Sequence, residues 1–215
     1  RQKIRWSRAM LHDLKNKMSI SHLQNVIEGL GYKWFSKGDF NVNIIGVRNP
    51  NLISNSFDDT MLMAFKIKGH WNLKEWAITT DAGKYYLQHP LDNQKGCALL
   101  VPNQYRSCYA IDKHRGRYEA LCQTLGKVEV YRDDNNDQIL DFNDVTKEWG
   151  MFGINVHRSA PIESELVNKY SAGCQVFKKA QDFDDFLKIC FKAAVEWGNS
   201  FTYTLIKEED LKLNN

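Results

Sequence analysis

The sequence lacks three features that would assign it at once to a large class of proteins. No apolar run approaches the roughly 18 residues that cross a bilayer, so no membrane span is expected. Charge of one sign is not in excess, because 29 basic residues stand against 26 acidic ones. A nucleic-acid-binding domain needs clustered positive charge, so no nucleic-acid partner is expected. Internal repeats are also missing, which leaves 215 residues, 43% of them hydrophobic, to build one core.

The cysteines are too few and too widely spaced to form a structural framework. They number five, an odd count without any Cys-x-x-Cys pair, at Cys97, Cys108, Cys122, Cys174 and Cys190. A disulfide scaffold or a zinc site is therefore not expected, and a reducing compartment is the simpler location. No secretory signal is visible, and the location is left open, with accumulation in the cytoplasm favoured. None of these features determines the oligomeric state.

Hydrophobic periodicity divides the chain into a helical N-terminal segment and a longer main domain. Residues 1–31 carry apolar side chains at helical spacing, which predicts an appendage that packs on the main domain or on a second copy. Ser19 or Ser21 is placed to cap its second helix, and Gly31 is placed to end it. Residues 32–215 are the predicted catalytic domain.

Within the main domain, strand signals dominate from residue 40 to residue 131. Residues 62–68 and 76–80 are predicted to pair across a polar loop, and residues 85–87 to form a further strand. Residues 182–197 carry one apolar stripe, which predicts a helix. The expected fold class is mainly β, with a β-sandwich-like mixed sheet and flanking helices, and therefore α+β.

Two short segments carry the chemistry, GINVHR at 153–158 and SAGCQV at 171–176. Cysteine is a strong nucleophile as thiolate, and a nearby imidazole can take its proton, so Cys174 and His157 form a candidate thiol–imidazole pair. Gly173 allows a tight turn that presents the sulfur outside the core. A free cysteine is more often a small buried hydrophobe, and that interpretation stays open.

The residues around His157 strengthen the candidate pair. If residues 151–157 form a strand, its alternation places Asn155 and His157 on the same face. Asn155 could then orient the imidazole. Glycine at 153 leaves that face open to a ligand.

These segments resemble the signature of the L,D-transpeptidase (YkuD-like) catalytic domain. That signature is a histidine, a spacer of about this length, and Ser/Thr-His-Gly-Cys followed by an apolar residue. The likeness to the transpeptidases is confined to residues 157–174. A GIN[IV]HR…SAGCQV core is also similar to uncharacterised phage and bacterial proteins, over roughly residues 30–190. The resemblance implies a β-sandwich-like catalytic domain.

Two positions depart from the family signature. Ala172 stands where the family has a histidine, and Gln175 stands where an apolar residue is usual. If the missing histidine is the family's general base, His157 is the only motif histidine left to activate Cys174. A Cys/His acyl-transfer site is still expected, with hydrolysis favoured over transpeptidation.

The resemblance implies peptidoglycan as the partner and its stem peptides as the substrate. Cys174 would attack a peptide carbonyl, and His157 would take the thiol proton and return it to the leaving amine. Backbone N–H groups around Gly173 and Cys174 would hold the oxyanion. The acyl group would pass to water, as in an endolysin-like endopeptidase or carboxypeptidase, or to a second stem amine. No cofactor is required, and the expected place of action is the bacterial cell wall.

Two interpretations without catalysis stay open. The chain is then either a wall-binding or partner-binding module on the same fold, with an inert Cys174, or a phage structural or host-takeover protein. If the alanine at 172 means that activity has been lost, it favours the binding module. Digestion of purified peptidoglycan, followed by identification of released muropeptides, distinguishes both interpretations from an enzyme.

Polar residues at predicted strand ends and in loops complete the candidate site, because binding sites are usually built there. Arginine can hold a peptide carboxylate with two hydrogen bonds. The substrate-binding candidates are Arg158, Ser171, Arg48, Tyr105 and Arg106. The same polar set includes Thr80, Asp81, Gln104, His114 and Arg115, and any one of these is more often a surface residue.

An acidic segment at 133–144 follows the ligand spacing of an EF-hand loop. The candidate oxygen ligands are Asp133, Asn135, Asp137, the Ile139 carbonyl, Asp141 and Asp144. Gln138 replaces the turn glycine of such loops, and Asp144 replaces their bidentate glutamate. The sequence therefore leaves open a weak structural calcium site and a solvated acidic turn between strands.

Calcium binding at this loop predicts a rise in thermal stability, because a ligand that binds only the folded state stabilises it. With a dissociation constant of about 10⁻⁴ M, calcium at about 5 mM should add about 2 kcal/mol. Melting curves in calcium and in chelator measure the gain, and the double variant Asp133→Ala, Asp137→Ala should lose it. Identical curves for the unaltered protein would leave only the acidic turn.

Overall fold

A computed structural model describes residues 19–92 and 95–212. The helices within these ranges are α1 (Ile20–Gly29), α2 (Lys84–Gln88) and α3 (Ala180–Trp197). The strands are β1 (Asn43–Arg48), β2 (Asp59–Ile67), β3 (His70–Thr79), β4 (Cys97–Leu100), β5 (Asn103–His114), β6 (Tyr118–Gln123), β7 (Val128–Asp133), β8 (Glu148–Gly150), β9 (Val156–Arg158), β10 (Gln175–Phe177) and β11 (Phe201–Lys207). Short 3-10 helices cover Asp144–Thr146 and Glu208–Lys212.

The predicted fold class is confirmed, since the described chain is mainly β, with a mixed sheet and flanking helices. Eight strands close into a barrel in the order β1-β11-β5-β6-β9-β10-β3-β2, and β4-β7-β8 form a separate small sheet. Two neighbouring pairs are parallel, β1 with β11 and β9 with β10. The sheet closes, rather than remaining sandwich-like, because β10 pairs on one side with β9 and on the other with β3.

The longest hairpin joins β2 to β3 through a tight turn. Lys68 has φ +49° and Gly69 has φ +77°, the left-handed pair that a two-residue hairpin turn requires. The Asp39 carboxylate accepts hydrogen bonds from both backbone N–H groups of the turn. Pairing begins immediately at Ile67 and His70. The polar loop predicted between the two strands is therefore wrong, because its residues extend β3.

Both faces of β2 are buried, against different parts of the molecule. Met61, Met63 and Phe65 point into the main core, which includes the interior tyrosines of the barrel. Leu62 and Ala64 point to the opposite side. A strand covered on both faces is expected to be continuously apolar, as β2 is from Met61 to Phe65.

Helix α1 covers the outer face of β1 and β2. Its Leu23, Val26 and Ile27 pack in one cluster with Ile45 and Val47 of β1. The predicted cap is confirmed, because the side chain of residue 19 accepts a hydrogen bond from the backbone N–H of residue 22 at 3.1 Å. The boundary of an N-terminal appendage stays a prediction, and its first helix lies outside the described residues.

The strand predicted at 85–87 is wrong, because these residues belong to helix α2. Three consecutive apolar residues do not distinguish strand from helix by periodicity. The chain turns at Gly83, where an added Cβ would lie 2.1 Å from the Asn168 carbonyl oxygen. The Gly83 carbonyl then accepts hydrogen bonds from the N–H groups of Tyr86 and Leu87, which starts a helical turn.

The acidic loop at 133–144 is held together by its own side chains. Asp133 is buried at the end of β7, where burial raises its pKa to about 6. The Asn135 amide donates to the carboxylates of Asp137 and Asp141, at 3.1 and 2.7 Å. Asp144 instead pairs with Lys147. Among the residues that the structure describes, no group of three or more His, Cys, Asp or Glu side chains could hold a metal ion.

None of the described helices is both long and apolar enough to cross a bilayer. The longest, α3, instead buries one face on the barrel core through Phe183, Phe186 and Cys190. The ring of Phe186 lies 5.0 Å from that of Phe177 and 5.9 Å from that of Trp76, centroid to centroid. This aromatic cluster joins the helix to β3 and β10.

Removal of the Phe186 ring should destabilise the protein, because it would leave a cavity in this cluster. We expect Phe186→Ala to lower the free energy of unfolding by about 3–5 kcal/mol. Phe191 lies on the same helix with 46% of its surface exposed, and Phe191→Ala should cost less than about 1 kcal/mol. Urea unfolding measures both values, and equal losses would contradict the burial of Phe186 in this cluster.

Candidate active site

Cys174 lies in a turn that leads directly into β10. Gly173 has φ +120°, and an added Cβ would lie 1.8 Å from the Ala98 carbonyl oxygen, so only glycine fits. The hydroxyl of Ser171 accepts a hydrogen bond from the Gly173 N–H at 3.1 Å and donates to the Cys174 carbonyl at 2.9 Å. These two contacts fix the direction in which the cysteine leaves the turn.

His157 stands on the neighbouring parallel strand, where it pairs with Val176. The strand predicted over 151–157 begins only at Val156, because Gly153 at φ +68° turns the chain before it. Gln123 provides a hydrogen-bond acceptor for the backbone before β9, since its side-chain oxygen accepts from the N–H groups of residues 152 and 154, both at 3.1 Å. Cys174 and His157 are therefore positioned by adjacent strands, not by one loop.

One cavity of about 450 Å³ brings the candidate residues together. Its lining includes Cys174, His157 and Asn155, which the sequence predicts as catalytic. It also includes His114, at the end of β5, and Arg115, in the turn between β5 and β6. We refer to this space as the Cys174 cavity.

Cys174 is partly exposed, whereas the other four cysteines are buried. Its sulfur lies 3.4 Å from the Gly153 carbonyl oxygen, to which the thiol can donate. Burial raises the pKa of the Cys174 thiol, while a hydrogen bond from the Asn155 backbone N–H and the charge of Arg115 act in the opposite direction. The thiol is therefore protonated at neutral pH.

The hydrogen bonds of His157 define its tautomer. Its Nδ1 lies 2.8 Å from the Arg158 carbonyl oxygen, which can only accept, so we assign the proton to Nδ1. The Tyr118 hydroxyl is a second neighbour of Nδ1, at 3.3 Å. Nε2 then carries the lone pair, as a general base requires. Burial, reinforced by His114, lowers the pKa of His157 to about 3, so the ring is neutral.

Within the described residues, no hydrogen bond joins the His157 ring to the thiol. Asn155 does not contact that ring directly either. Its amide oxygen accepts from the Gln123 N–H at 2.9 Å, and its amide nitrogen lies 3.0 Å from Nδ1 of His114. His114 in turn stacks on His157 with ring centroids 4.1 Å apart. Asn155 thus supports the base through a second imidazole.

His114 is a cavity residue that the motif does not include. It appears in the sequence only as one of several polar residues at strand ends, 43 positions before His157. It reaches the cavity because β6 follows β5 as an antiparallel neighbour and itself pairs with β9. Burial lowers the pKa of His114 to about 4, so this ring is also neutral at pH 7.

The predicted substrate-binding residues lie in different surroundings. Ser171 is buried in the cysteine turn, and the Arg158 guanidinium lies over the Tyr118 ring at 4.5 Å. Buried Arg48 pairs with Asp81 at 3.0 Å. The buried Tyr105 donates its hydroxyl to the Val101 carbonyl at 2.6 Å, and Arg106 is exposed on β5. The lining of the Cys174 cavity includes none of these five side chains.

Comparison of the chain with protein-family models, with curated proteins and with solved structures finds no match. The likeness to L,D-transpeptidases therefore remains an expectation from the motif. The function has to be inferred from the chemistry of the Cys174 cavity.

Exposure and pKa together predict how the cysteines react with iodoacetamide. Cys174 should be alkylated first, and its rate should rise as the pH increases through 9, because only the thiolate reacts. Cys97 is the matched control, since it lines the same cavity but is buried, and its pKa is raised to about 12. Peptide mass mapping gives each rate. A rate at Cys174 that is already maximal at pH 7 would contradict a neutral thiol.

Proposed function

We propose that the chain is a cysteine-dependent acyl-transfer enzyme that hydrolyses peptidoglycan stem peptides, with Cys174 as nucleophile and His157 as general base. One observation carries the proposal. The single partly exposed thiol and an imidazole whose Nε2 lone pair is fixed by hydrogen bonding line the same cavity. A nucleophile beside an oriented base is the arrangement that acyl transfer needs.

The chemistry starts from a neutral pair, because burial raises the pKa of the thiol and lowers that of the imidazole. As the sulfur attacks the peptide carbonyl carbon, the thiol proton passes to Nε2 of His157. The C–N bond then breaks, and the same proton leaves with the amine. A thioester on Cys174 remains, and water releases it as a carboxylic acid. Attack by a second stem amine instead of water would give transpeptidation.

Arg115 supports an anionic peptide as substrate. It lines the cavity beside His114, and its charge lowers the pKa of the Cys174 thiol. A guanidinium at this position can hold a substrate carboxylate with two hydrogen bonds. Stem peptides of peptidoglycan carry such carboxylates, and the L,D-transpeptidase-like motif around Cys174 points to the same polymer.

A wall-binding or partner-binding module is the second candidate, and one observation favours it. The thiol faces the Gly153 carbonyl, and burial raises its pKa, as expected for a cysteine that does not react. In that case the cavity would still bind a wall peptide, and Cys174 would only shape its wall. Binding without turnover distinguishes this candidate from the enzyme.

Digestion of purified peptidoglycan tests the proposal directly. We expect the protein to release muropeptides with new free carboxyl groups, detected by liquid chromatography and mass spectrometry. Cys174→Ala should abolish release, and His157→Ala should slow it by roughly 10²–10⁴-fold, the usual contribution of a general base. Cys108→Ala is the control, because Cys108 is buried outside the cavity.

Each outcome separates the alternatives. Cross-linked products in place of free carboxyl groups would indicate transpeptidation at the same residues. Binding of peptidoglycan by both the unaltered protein and Cys174→Ala, with no released muropeptides from either, would support the binding module. Full activity of Cys174→Ala would exclude the proposed nucleophile.

A further inference from the structure

The Cys174 turn leaves the expected oxyanion site incomplete. An acyl-transfer site stabilises the tetrahedral oxyanion with preorganised N–H donors, and two are usual. The Gly173 N–H is already donated to the Ser171 hydroxyl. The Cys174 N–H has no hydrogen-bond partner among the described residues and is free to donate. One donor therefore has to come from elsewhere in the cavity.

His114 carries the required proton on Nε2, the ring nitrogen that does not face Asn155. The Asn155 amide oxygen accepts from a backbone N–H, which identifies the amide nitrogen as the group facing Nδ1 of His114. An amide nitrogen can only donate, so Nδ1 of His114 must accept. The neutral ring then carries its proton on Nε2. This nitrogen has no hydrogen-bond partner within the part of the chain that the structure describes.

The two stacked imidazoles therefore have opposite tautomers. Nε2 of His157 accepts, because a backbone carbonyl holds the proton on Nδ1, whereas Nε2 of His114 donates. Both rings line the Cys174 cavity. Asn155 connects them to the cysteine turn, since its backbone carbonyl accepts from the Gln175 N–H at 2.9 Å while its side chain fixes His114. One residue thus aligns the nucleophile with the donor.

We infer that His114 is a catalytic residue whose Nε2–H, together with the Cys174 N–H, binds the oxyanion formed when Cys174 attacks a carbonyl carbon. The inference rests on the proposed function, because it needs Cys174 to be acylated. A neutral imidazole suits this role, since it donates a hydrogen bond without bringing a buried charge. Its lowered pKa, about 4, keeps the ring in that state over the neutral range.

The test compares two reactions of the same thiol at pH 8. With p-nitrophenyl acetate, an S–C bond forms, the ester C–O bond breaks, p-nitrophenolate leaves, and the thiol proton passes through His157 to solvent. This reaction passes through an oxyanion. Alkylation by iodoacetamide replaces iodide at a saturated carbon and forms no oxyanion. Mass spectrometry of the Cys174 peptide gives both rates.

His114→Phe keeps a ring against His157 but removes the N–H donor. We expect its acylation rate to fall by roughly 10²-fold, the usual effect of losing one oxyanion donor, while alkylation stays within about twofold. His114→Leu should give the same result if the phenylalanine variant does not fold. Melting curves confirm that the variants are folded.

Three results would overturn the inference. Unchanged acylation in folded His114→Phe or His114→Leu would show that the imidazole is not a donor. An equal fall in acylation and alkylation would show that His114 only positions its neighbours. If p-nitrophenyl acetate acetylates Cys174 no faster in the unaltered folded protein than in the unfolded protein, Cys174 is not an activated nucleophile. The proposed function is then wrong together with the inference.

Discussion

Parallel pairing between β9 and β10 holds the candidate site together. These three-residue strands close the barrel and set His157 beside the residues that follow Cys174. The buried side chain of Gln175 reinforces them, because its oxygen accepts the Tyr203 hydroxyl proton across the barrel at 2.8 Å. An apolar residue at 175 would leave the Tyr203 hydroxyl without this acceptor, at a cost of about 1–3 kcal/mol. The core thus accounts for a polar residue at this position.

Burial sets the charge state of the whole site. Burial disfavours the charged form of both imidazoles, and at His157 the ring of His114, whose centroid lies 4.1 Å away, adds to the effect. The pKa values of both rings are therefore lowered, and that of the Cys174 thiol is raised. Under the proposed function, the thiol proton would move only when a substrate is attacked, and the fixed donors would act in a medium of low dielectric constant. The same neutrality lets the barrel bury the two imidazoles without burying a charge.

Local sequence signals predicted elements where one periodicity extended over many residues. The apolar stripe of α3 and the apolar run of β2 from Met61 to Phe65 identify both elements, because the first pattern marks one buried helix face and the second marks a strand that is buried on both faces. Short segments were less reliable. Residues 85–87 read as a strand but form a helical turn, and the polar residues after position 69 read as a loop but extend β3. Residues 70–75 have a neighbouring strand, β2, with which to pair, whereas residues 85–87 form a helix instead. A local sequence pattern does not contain the information on which strands will be neighbours.

The amino-acid sequence was enough to predict the glycine turn before the cysteine and the mainly β class, and to identify Cys174 and His157 as a candidate pair, since each follows from residue types at short spacing. Which polar residues share the cavity depends on the tertiary structure. It brought in His114 from β5 through the pairing of β6 with β9, and it placed Arg48 and Tyr105 in buried hydrogen bonds elsewhere. The physical reason is that barrel closure joins strands distant in sequence, and no local pattern of side chains encodes which strands will meet.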